Sequence, residues 1–397
     1  MTVKKHPGVA VPSSVMEFYS YFRVFICSVI VSMALVIGIN FGADPFGFYH
    51  DGVPWDWVHK RMGIPHYMYA YKAHMVEKLK PEVLLLGSSR VLYGLDPENP
   101  ALPKDSYNLG LEDASLYVQW RYLQHSAETQ MPKMVILGMD IQSFNALLKP
   151  TSSFSEDRLS VTPEGKRNPY HTFADSADTL MSTKALYYSL KPIISDQAQF
   201  DYPKGYNPDF MIKSNHMNLA RNIEVTNLQW LKSDDNTHYV EPNGRQPGMD
   251  AFQNMIFFCA QHNIRFVVFI NPLHMSMTDL VTANWNNYSN WMKTVVGKLN
   301  SVSGSDNELW DFTGYSNMST ESFPLPTDMY SHMHFYYDCS HYQQNVGDLI
   351  LSRILTENAP SDFGQKVTMN NVQDDLDRIM REKNAWHQNG QAKFVAR

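Results

Sequence analysis

Cysteine is scarce in this chain: three in 397 residues. None forms a CxxC pair, and no Cys/His cluster has the spacing of a zinc site. His332 and His334 stand close together but have no evident third ligand, so no metal site is expected. Cys259 and Cys339 are formally able to pair in an oxidising compartment. Charge is sparse as well. Asp, Glu, Lys and Arg make up 18% of the chain, the net charge is -7, and there is no basic block. That argues against nucleic acid as the main partner. Internal repeats are missing, and only one apolar run reaches membrane length. What is abundant is apolar and aromatic side chain, at 44% and 13%, enough for a sizeable core.

The long run covers residues 24–43 and contains no charged residue. Roughly 20 helical residues cross a bilayer core of about 30 Å. A buried core helix and a cleaved signal peptide compete with this reading, but the run is long for a signal peptide and starts only at Val24. Lys4, Lys5 and Arg23 precede it, while Asp44, Asp51 and Asp56 follow. The positive-inside rule then leaves residues 1–23 in the cytoplasm and sends the rest across the membrane. The expected organisation is a single-pass anchor at 24–43 in the inner membrane and a juxtamembrane linker and helix at 44–80. An extracytoplasmic (periplasmic) domain at 81–356 and a polar tail at 357–397 complete it. Phe46, Phe48, Tyr49, Trp55 and Trp57 suit either the outer membrane interface or a fold-back onto the domain.

Past the anchor the rhythm is strand, connection, strand, helix, strand, which predicts an α/β fold with a parallel sheet. Strands are expected at 82–86, 106–110, 133–138, 264–270 and 308–312. Helices are expected at 66–79, 114–130, 247–262, 283–299 and 341–355. Between about 145 and 246 the rhythm breaks into a stretch rich in Ser, Asp, Asn, Pro and Tyr. It reads as an insertion over the carboxyl edge of the sheet, with helices at 175–190 and near 215–232. Within the tail, 372–381 has little apolar face and is expected to dock weakly or fray.

Chemistry concentrates at strand ends. The apolar run Val83-Leu84-Leu85-Leu86 stops at Gly87-Ser88-Ser89-Arg90. A sharp turn there leaves a hydroxyl at the carboxyl end of a buried strand. Serine is a poor nucleophile at neutral pH and needs a base oriented by a carboxylate. Asp338 and His341 have a spacing that lets the carboxylate reach one imidazole nitrogen. Ser89, His341 and Asp338 are therefore the candidate nucleophile, base and orienting acid. Ser88, Arg90, Asp140, Asn271 and His274 also fall at strand ends on the same edge, as candidates for substrate binding, and Asn108 and Gly110 lie on the second strand.

This layout resembles the SGNH (GDSL-type) hydrolase superfamily over roughly 82–140 and 264–355. It is most similar to the membrane-anchored alginate O-acetyltransferase and lipoteichoic-acid D-alanylation types. The family's Gly-Asp-Ser turn matches Gly87-Ser88-Ser89, and its terminal Asp-x-x-His matches Asp338 and His341. Two blocks depart from the pattern. Asp113 stands where a glycine aligns, and Gly138-Met139-Asp140 lacks the oxyanion-binding Asn. The donors would then be the Ser89 N–H with Gly110 or the Asn108 side chain. The resemblance implies a flavodoxin-like three-layer fold and an O-acyltransferase that acetylates an exopolysaccharide through an acyl-serine, without a cofactor. Because one helix cannot carry an acyl group across a membrane, it also implies a multi-pass membrane-bound O-acyltransferase partner. A carbohydrate esterase with the same triad, or a non-catalytic glycan-binding subunit of a polysaccharide synthesis or export complex, are the alternatives.

Overall fold

The computed structural model describes residues 13–49, 63–194, 202–207, 244–302, 307–324, 331–356, 360 and 362–394. In chain order the elements are α1 (Ser13–Ala43), α2 (Met68–Leu79), β1 (Val83–Gly87), α3 (Ser89–Gly94), β2 (Ser106–Gly110), α4 (Leu116–Thr129) and β3 (Met134–Met139). Then come α5 (His171–Leu180), α6 (Thr183–Ile194), α7 (Pro247–Gln261), β4 (Arg265–Ile270), α8 (Met275–Val281) and α9 (Trp285–Leu299). The last are β5 (Glu308–Asp311), α10 (Gln344–Thr356), β6 (Gln365–Val367) and α11 (Val372–Phe394). Two compact units result, one drawn from Met1–Ile64 and Phe173–Gln199, the other from Pro65–Thr172 and Phe200–Arg397.

In the first unit, residues 17–43 of α1 are long and apolar enough to cross a membrane. Side chains from Phe18 to Leu35 are exposed on every face. Only at Val36, Ile37, Asn40 and Ala43, one face of the last two turns, does cover begin. The cover comes from α5 and α6, which the sequence suggested as one helix over 175–190. Asn40 divides them: its side chain, 1% exposed, donates to Leu180 O (2.9 Å) and Ser182 O (3.2 Å) and accepts from Ser189 Oγ (3.0 Å). Those carbonyls lie at the C-terminal end of α5, where helical N–H donors are missing. Ser182 Oγ then accepts from the N–H groups of Lys184 and Ala185 and starts α6. Of the aromatic cluster, Phe46 and Phe48 fold back into this unit, with the Phe46 ring 6.3 Å from Tyr188. Trp55 and Trp57 lie outside the described residues, as do the charges at 4, 5, 51 and 56 and the helix expected near 215–232.

The second unit is built on one six-stranded sheet in the order β2-β1-β3-β4-β5-β6, with the first five strands parallel and β6 antiparallel. β1, β2 and β3 are buried along their whole length, as a sheet covered on both faces requires. The order reverses direction between β1 and β3, so the connections leaving their carboxyl ends run in opposite directions, the place where open parallel sheets bind ligands. Gly87 pairs in register with Gly110 on one side and Gly138 on the other, so all three strands stop at one level.

Three expectations need correction here. The tail does not fray: β6 extends the sheet, and α11 runs 23 residues with Val372, Leu376 and Ile379 buried. Its few apolar side chains form a single stripe. Arg378, paired within the helix to Asp375 (2.8 Å) and Glu382 (3.1 Å), ties it down by donating to Thr313 O (3.0 Å), and Glu382 accepts from Tyr315 N–H (2.9 Å). Beside it burial, and then Asp375, push the Asp311 carboxyl well above its usual range. The second correction is the insertion. Its residues 173–194 group with α1, not with the sheet. Residues 154–161 pack on α4 through Phe154 to Tyr122 and Glu156 to Arg121. The segment 202–207 lies against β2, where a Cβ on Gly205 would sit 2.2 Å from Asn108 O. The third is α8, a helix the sequence left as loop, which His274 caps by accepting from Ser276 N–H.

Candidate active site

The turn after β1 works because its two serines divide the labour. Gly87 leaves room for α3 to fold back over the strand, since a Cβ there would meet Val91 Cγ2 at 2.3 Å. Ser88 is the N-cap, accepting from Arg90 N–H and donating to Asp140 Oδ2 at 2.5 Å. Ser89 is left as the first residue of α3, half-buried, with its hydroxyl 2.8 Å from His341 Nε2. The other imidazole nitrogen, Nδ1, lies 2.8 Å from Asp338 Oδ2. With Nδ1–H donating a hydrogen bond to Asp338, Nε2 accepts from Ser89, which is the geometry of a general base on a serine nucleophile.

Asp338 and His341 meet in a tight turn, not at a helix start, because α10 begins only at Gln344. Tyr336 and Tyr342 form an antiparallel bridge, and Tyr337 N–H donates to His341 O at 2.7 Å. Inside this small hairpin Asp338 Oδ1 accepts from the N–H groups of Ser340 (2.7 Å) and His341 (2.8 Å). Burial pushes the carboxyl up, but the imidazole and these N–H groups outweigh it and hold Asp338 below its usual value. It is therefore ionised at neutral pH and able to stabilise an imidazolium. Cys339, at the tip, is buried and free. Cys259 is also a separate free thiol, so the formal disulfide is not formed.

Arg90 binds the two halves of the relay together. Its Nη1 lies 2.6 Å from Asp140 Oδ1, its Nε donates to Ser340 O (2.9 Å) and its Nη2 to Ser340 Oγ (2.6 Å). Asn271 donates to Asp140 Oδ1 (2.9 Å) and accepts from Tyr342 OH (2.9 Å). One buried network thus joins the β1 turn, the end of β3, the end of β4 and the Asp338–His341 hairpin. Ser88, Arg90, Asp140 and Asn271 belong to it and are buried. The Arg90 guanidinium offsets the repulsion that an ionised Asp140 would exert on an oxyanion.

α3, which begins with Ser89, and α10, which follows the Asp338–His341 hairpin, touch backbone to backbone. A Cβ on Gly347 of α10 would fall 1.8 Å from Gly94 O of α3. Gly347→Ala must push the two helices apart. We expect a loss of about 1–3 kcal/mol in stability, measured by chemical unfolding. The Ser89–His341 contact, read as residual activity in the folded fraction, is expected to be lost with it.

Other sequence candidates do not reach the relay. Asn108 is fully buried, donates to Val91 O (2.7 Å) and Leu95 O (2.8 Å), and accepts from Gly110 N–H (2.9 Å). Neither its amide nor the Gly110 N–H remains to bind an oxyanion. The N–H groups of Ser89, Glu112 and Asp113 have no acceptor among the described residues. Asp113 has a left-handed backbone, φ 52°, a conformation that glycine adopts without strain. Leu111 N–H donates to Gly87 O (3.0 Å) and holds this turn beside the Ser88–Ser89 elbow.

His274 is fully buried, with Nδ1 on Ser276 Oγ (2.9 Å) and Nε2 on Glu321 O (2.7 Å). Burial pushes its pKa down to about 4. The unfolded chain takes up this proton near pH 6.5 and the folded one only near 4. His274 thus contributes stability that is present above pH 6.5 and lost as pH falls toward 4. The melting temperature of the wild type is expected to drop across that window, and less steeply in His274→Gln.

Four participants escaped the sequence reading. Ser340, Gln142 and Tyr342 gave no signal beyond nearness to a candidate. Lys72 did give one, as a lysine spaced four residues from Met68 and from Val76 on a buried helix face. It is fully buried, donates to Asn108 O (2.8 Å) and Gly110 O (2.6 Å), and is pushed well below the usual lysine value by burial. Among the described residues no three His, Cys, Asp or Glu side chains converge to hold a metal ion. Comparison of the chain with protein-family models and with curated proteins gave no match.

Proposed function

We propose that this chain is a membrane-anchored O-acyltransferase of SGNH-like, flavodoxin-like fold, acting outside the cytoplasm on an exopolysaccharide. The observation that carries the proposal is the Ser89–His341–Asp338 relay, with both contacts at 2.8 Å, at the carboxyl edge of a parallel sheet where its order reverses. Ser89 attacks an acyl donor, and its proton passes to His341 Nε2. The tetrahedral oxyanion is held by the Ser89 N–H with an N–H of the Glu112–Asp113 turn. Collapse expels the donor's leaving group, which takes the proton from His341 and leaves an acyl-serine. A sugar hydroxyl then gives its proton to His341 and takes the acyl group, and Ser89 is restored. Supply of acyl groups from the cytoplasm calls for a multi-pass membrane-bound O-acyltransferase beside α1.

The direct test is the acetyl content of the surface polysaccharide in cells carrying Ser89→Ala, against His274→Gln as a variant away from the relay. Loss of acetylation in Ser89→Ala alone supports the proposal. An unchanged acetyl content overturns it in favour of a non-catalytic subunit. One observation favours a second reading. The relay is assembled within a single chain, so water could serve as acceptor without any partner. Acetate release from acetylated glycans by the isolated protein, with a raised acetyl content in Ser89→Ala cells, identifies an esterase.

A further inference from the structure

The first unit presents a face that its own packing does not use. On α6, Tyr187 is 55% exposed, Leu190 43% and Ile193 65%. Helical spacing puts Tyr187 and Leu190 on one stripe, with Ile193 on one flank and Lys184 and Lys191 on the other. Lys191 Nζ lies 5.7 Å from the Tyr187 ring centre and 5.6 Å from that of Tyr188. Phe173, at the start of α5, is 76% exposed. An apolar stripe with aromatic edges and a lysine flank is the pattern of a helix lying in a lipid–water interface, where lysine stems follow apolar surface up to the phosphates.

The level of this face along α1 points the same way. Arg23 is the last charge before the apolar run, and 20 residues beyond it, about 30 Å of helix, end at Ala43. Asn40 and Asp44 therefore mark the far boundary of the hydrocarbon. The α5–α6 hairpin is clamped to Asn40, and it covers α1 only from Val36 onward. Its unused face thus continues the lipid-exposed surface of α1 at headgroup depth.

We propose that the α5–α6 hairpin is a membrane-surface element, with the Tyr187–Leu190–Ile193 face of α6 seated in the outer lipid interface and Lys184 and Lys191 directed to lipid phosphates. The occupant is the bilayer itself. The hairpin fixes how far α1 can slide through the membrane and how far it can tilt. The inference rests on α1 spanning the membrane, and the experiment separates the two.

The full chain, with Cys27→Ser, is labelled with an environment-sensitive fluorophore at Val29→Cys or Ile193→Cys in vesicles of phosphatidylcholine and phosphatidylglycerol. Cys259 and Cys339 are buried and do not compete for the label. Spin-labelled lipids report depth and aqueous iodide reports exposure to water. The expected result is deep quenching at Val29 and, at Ile193, several-fold stronger quenching by shallow than by deep spin labels. Quenching at Val29 with an iodide-accessible Ile193 overturns the hairpin proposal and leaves the anchor. Quenching at Val29 with Ile193 shielded from both lipid labels and iodide also overturns it, since protein then covers the face. No lipid quenching at either position removes the spanning reading and the hairpin proposal together.

Discussion

Ser89→Ala is expected to lower turnover of a chromogenic acetyl ester by about 10⁴–10⁶-fold, because members of a catalytic relay fail as a unit. Ser89 is half-buried, and its side chain's contact is with His341 Nε2 at 2.8 Å. Its removal leaves the buried network under the elbow intact. The melting temperature should therefore stay close to that of the wild type, which separates loss of chemistry from loss of fold. The same experiment looks for the covalent species. Wild type mixed with a slow acyl donor should gain the mass of one acyl group at Ser89, and Ser89→Ala should gain none. His341→Ala should lose as much activity as Ser89→Ala, and the double variant no more than either. An equally fast Ser89→Ala would place the chemistry elsewhere.

Arg90→Met is expected to have the largest effect on stability. The pair it breaks is buried, with side-chain exposures of 8% for Arg90 and 3% for Asp140. Removing one partner of such a pair leaves an uncompensated charge inside the protein and costs about 3–5 kcal/mol. Ser340 also loses both side-chain contacts that hold the Asp338–His341 hairpin to the elbow. Activity should therefore fall in the folded fraction as well as through unfolding. Arg90→Lys keeps the charge but cannot reproduce the fork to Asp140 and Ser340, and is expected to lie between the two. Denaturant unfolding checks the ranking. The added change Asp140→Leu should return part of the stability lost in Arg90→Met, since it removes the stranded carboxylate. If Arg90→Met alone costs no more than an ordinary surface substitution, the network does not hold the relay.

The strands and the relay were legible in the sequence for one reason: both depend on short, local patterns. An unbroken apolar run such as Leu84-Leu85-Leu86 can only be a buried strand when it is this short and ends in glycine. Gly-Ser-Ser and Asp-x-x-His carry their own turn chemistry. Residues whose role depends on what lies across the fold were not legible. Asn108 within β2 and His274 after β4 look like ligand-facing polar groups, yet the fold uses them to satisfy carbonyls and N–H groups that would otherwise be buried unpaired. β6 has only three residues, too few for periodicity, and is a strand because β5 offers an edge. The polar helix α11 reads as loose until Arg378 finds Thr313 O and Glu382 finds the Tyr315 N–H. Lys72 and Ser340 matter through partners 36 and 250 residues away.

The clamp on Asn40 imposes an order on biosynthesis. Its partners Leu180 and Ser182 follow it by 140 and 142 residues. At about 5–20 residues per second, α1 waits on the order of ten to thirty seconds for the hairpin that packs on it. Through that interval the Asn40 amide has to be satisfied by other partners. β1, β2 and β3 are made within the same wait. The unit that begins the chain is therefore finished only after the first strands of the other have been made.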